Sequence, residues 1–245
     1  MQQKTQEVID EHLKIWAGSI PMLLICVGIA LAMLAAVILI KVVVGESFSF
    51  YTREPAYIAN LSPLAGILSN AGILIWSVSA SVCFLTAYVC AMRRSFFLAT
   101  GLLSSLLVLD DMFMFHDVIF PDYLGVSENL VYGFYVTFMV GYLIRFKNDL
   151  LATQYPLFLT AGGFLALSIL ADLIIPHSLY GRHVIEDGAK IVGICCWSGF
   201  YFTTCAQVLK NQIVVANKQT AEDLLDEVIV ERDIEGLGLV EPSTT

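Results

Sequence analysis

Six long apolar runs separated by short polar stretches set the plan of this chain. They cover residues 18–44, 66–92, 95–119, 128–146, 154–177 and 184–209. Each nears or exceeds the roughly 20 residues that a helix needs to cross a bilayer. The pattern therefore predicts an all-α integral membrane protein, a bundle of six transmembrane helices. Residues 1–17 form a polar or interfacial segment, 18–210 the transmembrane domain, and 211–245 a short acidic tail. The first run is too long for the core of a cleavable signal peptide, about 7–15 residues, and reads as a first span. Between it and the second run, Phe48, Phe50, Tyr51 and Tyr57 with Pro55 and Pro63 suit an aromatic interfacial loop.

Polar positions then orient the bundle. Lys4, Lys14, Arg93, Arg94, Arg145, Lys147, Lys210 and Lys218 all fall on one side of a six-span chain. Lys41, Arg53 and Arg182 fall on the other. Basic loops stay in the cytoplasm, so both termini are expected there. The expected location is a multi-pass position in a bacterial inner membrane or its equivalent, with lipid as the surrounding partner.

Composition agrees: the chain is 58% hydrophobic and 14% charged, against about 25% charged in soluble domains. The net charge of −9 is concentrated in the tail, where eight acids face Lys218 and Arg232. No basic patch points to nucleic acid. Val214 to Ile234 alternates apolar and acidic residues and reads as a short amphipathic helix. It is expected first as a solvated acidic tail, with a cytoplasmic partner or a contact between copies in a homo-oligomer as the alternative. The six cysteines all lie in apolar runs without metal-finger spacing and read as small hydrophobes.

The carboxylates carry the chemistry. Of eleven acids between residues 17 and 210, only Asp149 falls on the inner side. Asp110, Asp111 and Asp117 cluster with His116 at the end of the third run, Asp172 ends the fifth, and Glu186, Asp187 and Lys190 open the sixth. At a helical rise of about 1.5 Å per residue, Asp110 sits about 24 Å beyond Arg94. Asp172 sits about 25 Å beyond Tyr155 by the same rule. Several helices thus place ionisable groups at one depth, where such groups are costly and mark function. Seven residues apart, Asp110 and Asp117 share a stripe and are the pair expected to share a target. Glu186 and Lys190, four apart, are expected to form an ion pair.

Two readings compete, with a structural or assembly subunit as a third. The first is an intramembrane metal-dependent hydrolase acting on a lipid or amphipathic substrate. Its divalent metal ion, zinc in the simplest case, would draw ligands from Asp110, His116, Asp117, Asp172, His183 and Asp187. Asp111 or Glu186 would act as general base on the metal-bound water, and Lys190 would steady a developing oxyanion. Ser, Asp and His residues on successive helices near one face also resemble the CREST class of membrane hydrolases. That class implies a zinc site in a seven-span bundle. This chain has six runs, and Glu186-Asp187 stands where the paired histidines of that class would be, so no residue roles are carried over. The second reading is a cation or proton channel or transporter, with the acids as its outer vestibule. Hydroxyls alone line the inner half, including Ser77, Thr86, Ser104, Ser105, Ser198 and Thr204.

Overall fold

The structure, a computed structural model, describes residues 2–176, 179 and 181–236. His177 and the last part of the tail, 237–245, lie outside the described residues. The chain falls into two compact units, one up to Ala65 and one from Gly66 onward. Among the described residues, six helices are long and apolar enough to cross a membrane, as the apolar runs predict.

The first unit holds α1 (Gln2–Val44), α2 (Phe48–Thr52) and α3 (Pro55–Ile58). No charge interrupts the sequence from Ile15 to Ile40, and the stretch Ala17–Val44 has no buried residue. A helix apolar on every side is stable only against an apolar surrounding such as lipid. It continues the helix of the polar N-terminal residues without a break. Gly45 ends it: with φ +89 it turns left-handed, and its amide donates to the Lys41 carbonyl at 2.8 Å. The aromatic stretch that follows forms two single-turn helices, with the Arg53 guanidinium 4.8 Å from the Tyr57 ring centre.

The second unit is a bundle of α4 (Ile67–Val89), α5 (Arg94–Phe113), α6 (Glu128–Leu151), α7 (Tyr155–Ile174) and α8 (Arg182–Gly236), with a π-helix over Phe115–Tyr123. Its core lies along the middle of α8, where Ile194, Trp197, Phe200 and Tyr201 are almost fully buried. Phe96 and Phe97 of α5 and Cys83 of α4 complete it. Small residues let the helices approach. A Cβ on Gly193 would come within 2.7 Å of Leu165 on α7, and one on Gly101 within 2.8 Å of the Phe84 ring. Buried hydroxyls join helices as well. Ser79 donates to Ser198 at 2.7 Å, Trp197 Nε1 to Ser104 Oγ at 3.0 Å, and Tyr142 bridges Thr100 and Tyr201 at 2.7 and 2.8 Å. Cys83, Cys90 and Cys205 are buried as small hydrophobes, while Cys26 and Cys195 are exposed on their helices.

The boundaries differ from expectation at three places. The third apolar run is helical only to Phe113, not to residue 119, because Met114 takes a left-handed conformation (φ +52) and the chain continues as the π-helix. The fourth long helix passes residue 146 and reaches Leu151, kinked at Phe146 (φ −114, ψ 18). The tail helix is no separate element. Residues 200–235 contain neither glycine nor proline, so nothing stops α8 near residue 210 and it continues to Gly236.

Candidate functional site: a layer of ion pairs around a cavity

One end of the second unit gathers the ends of α5 and α7, the starts of α4, α6 and α8, and the π-helix. Six of the acids there fall into three groups, each built around one cation.

The first group is built on the broken end of α5. Asp110, 7% exposed, accepts the His116 backbone N–H at 3.1 Å, His116 Nδ1 at 2.7 Å and the Tyr135 hydroxyl at 2.7 Å. The left-handed turn at Met114 brings His116 back over Asp110, and the carboxylate takes up an amide that the interrupted helix leaves without its usual carbonyl. His116 Nε2 lies 3.1 Å from Asp117 Oδ1. Asp110 and Asp117 therefore share a target, as their spacing suggests, but the target is His116 and the route is a helix break rather than a stripe. Burial alone would depress the imidazole pKa. The Asp110 hydrogen bond and the charges of Asp110 and Asp117 outweigh burial and the opposing Lys190 charge, and hold it above the usual histidine value. With a carboxylate at each ring nitrogen, the doubly protonated imidazolium fits best.

The second group joins α5 to α8. Lys190 Nζ donates to Asp111 Oδ1. The Asp111 side chain is 8% exposed and that of Lys190 is 34% exposed. The second Asp111 oxygen is buried and has no hydrogen-bond partner among the described residues. Both residues line a partly open cavity of about 140 Å³, together with Asp187, Ser69 of α4 and the apolar Leu68, Ile191 and Ile194.

The third group closes the link between α7 and α8. Arg182, 2% exposed, donates through Nη2 to Asp172 Oδ1 and, at 3.1 Å, to the Asp172 backbone carbonyl. Its Nε lies 3.5 Å from Glu186 Oε2. His183 sits 3.8 Å from the same Glu186 oxygen, but its side chain is 77% exposed.

The expected Glu186–Lys190 pair is thus corrected. Glu186 faces Arg182, also four residues away, while Lys190 turns across the interface to Asp111. A carboxylate as buried as Asp111 demands a cation more strongly than the better-hydrated Glu186. The nine expected site residues are separated accordingly. Asp110, His116 and Asp117 stand together; Asp111, Asp187 and Lys190 share the cavity; Asp172 and Glu186 serve Arg182; His183 faces outward. Among the described residues, no three His, Cys, Asp or Glu side chains are placed to hold a metal ion. Tyr135 is a further member of the first group that the pattern of acids does not single out. Its hydroxyl reaches Asp110, and only its place at the start of α6, level with the acids, could have signalled that.

At the opposite end of the same unit, Arg93 pairs with Asp149 at 3.3 Å and so ties the α4–α5 link to the end of α6. Comparison with curated proteins and with solved structures finds no match. One family model matches residues 16–204, a range that includes the apolar stretch Ala17–Val44 of α1, most of the bundle and every candidate residue above. The chain belongs to that family, described as Domain of unknown function (DUF8692).

Proposed function

We propose that this is a multi-pass membrane protein that binds a small polar molecule, or the headgroup of an amphiphile, in the Asp111–Lys190 cavity. In this reading the basic end of the bundle and both termini face the cytoplasm, and the cavity opens toward the other side. The observation that carries it is the state of Asp111. A carboxylate more than nine-tenths buried holds one lysine and keeps a second acceptor oxygen unmatched, beside a cavity with further polar walls. A buried acceptor without a donor is costly. A site that keeps one within a bundle is using it.

The test is thermal unfolding of the detergent-solubilised full chain against a panel of small polar solutes and short-chain amphiphiles. A saturable upward shift that disappears in Asp111→Asn is the expected result. A panel without any shift, or shifts identical in the variant, overturns the reading.

A metal-dependent hydrolase is the second reading, favoured by the atom-to-atom joining of Asp110, His116 and Asp117. A metal there must displace a carboxylate from at least one ring nitrogen of His116. About one transition metal per purified chain, lost in His116→Ala, would put this reading first; no bound metal removes it.

A further inference from the structure

We propose that the ligand of the Asp111–Lys190 cavity is an organic ammonium bearing N–H donors, carried on a short hydrocarbon chain. This rests on the binding reading above and names its chemistry. The polar wall holds two carboxylates, Asp111 and Asp187, against one cation, Lys190. Asp111 is held by Lys190 and Asp187 is exposed, so fully ionised the lining carries one net negative charge on its open side, which favours a monocation over an anion. A buried carboxylate oxygen is an acceptor only, so its missing partner must be a donor. Ser69 adds a hydroxyl that can accept a further N–H. The rest of the wall includes Leu68, Ile191 and Ile194, which cover hydrocarbon rather than a bare hydrated ion. An anion would face two carboxylates against one lysine. A quaternary ammonium carries the right charge but offers no N–H to the unmatched oxygen.

The same chemistry can come from a free alkylamine or from a lipid whose headgroup ends in a primary amine. The probes are n-hexylamine, hexyltrimethylammonium and hexanol, titrated against thermal unfolding of the full chain in detergent at neutral pH. Hexylamine should raise the midpoint saturably, with an apparent affinity at least tenfold tighter than either analogue. Asp187→Asn should weaken hexylamine tenfold without abolishing the fold; the analogue comparison in the wild type stands even if Asp111 variants fail to express. Equal response to all three hexyl compounds overturns the ammonium assignment and leaves the cavity reading standing. A response to sodium or potassium chloride in place of hexylamine assigns the cavity to a metal cation and also overturns it. A cavity that takes water only gives no response to any probe. That outcome overturns the assignment, and the wider panel then decides the parent reading. Native mass spectrometry from bilayer discs separates the sources. Phosphatidylethanolamine retained in preference to phosphatidylcholine, and displaced by hexylamine, identifies the lipid headgroup. Hexylamine binding without that preference identifies the free amine. Both support the proposal.

Discussion

At the scale of single residues, Asp110 is the acid with the most to lose. It satisfies a backbone amide exposed by a helix break, one imidazole nitrogen and one phenol. Asp110→Asn keeps the shape but weakens all three bonds, and should lower stability by about 1–3 kcal/mol. Thermal unfolding reads this directly. His116 adds a dependence on pH. Its pKa is raised by the Asp110 bond and the two flanking charges, against the effect of burial. The imidazolium therefore contributes fully below the ordinary histidine value of 6.5, and the contribution fades as pH rises through the higher folded value. The wild-type midpoint should fall as pH rises above 6.5 more steeply than that of His116→Gln; parallel curves would contradict the assignment. The Asp110, His116 and Asp117 group was legible in the sequence because its members are local. The Asp111–Lys190 pair was not. Its partners are 79 residues apart, and the helical i,i+4 rule gave Lys190 a nearer candidate in Glu186. The rule is sound for an isolated helix, but a carboxylate buried on another helix outbids a partly hydrated one on the same helix.

At the scale of elements, the apolar runs specify the number of long helices, and glycine decides how closely they pack. Gly193 lets α8 meet Leu165 of α7, backbone nitrogen included, at 3.0 Å from where a Cβ would stand. Gly193→Ala has no room to relax against backbone and should cost about 1–3 kcal/mol by overpacking. At Gly101 the obstacle is the Phe84 ring, a side chain, so Gly101→Ala should cost less and be relieved by Phe84→Leu. A matched pair of unfolding curves tests the ranking. Boundaries were less legible than helix number. Hydropathy continues smoothly through Met114, because the break there comes from a left-handed backbone and the Asp110 bond, neither of which alters apolar content. The tail looked separate because its composition changes at residue 211, yet composition does not end a helix. Residues 200–235 hold no glycine or proline at which it could be interrupted.

At the largest scale, the second unit sorts its charge between two ends. The Arg93–Asp149 link marks one end, and the three ion-pair groups mark the other. On the proposed orientation, with the basic end in the cytoplasm, Ser127→Cys should react with an impermeant maleimide in right-side-out vesicles. Thr153→Cys should react only after permeabilisation; the opposite pattern would invert the orientation. The central claim is that Asp111 and Lys190 act as one unit at one cavity. A double-mutant cycle on Asp111→Asn and Lys190→Gln, followed by thermal unfolding with and without hexylamine, tests it most directly. The expected coupling is about 1–3 kcal/mol, within the range for residues in contact. Asp111→Asn should lose the hexylamine shift, whereas Lys190→Gln, which leaves two carboxylates without their cation, should keep or enlarge it. Additive effects, within about 0.5 kcal/mol, with the shift intact in Asp111→Asn, would contradict it.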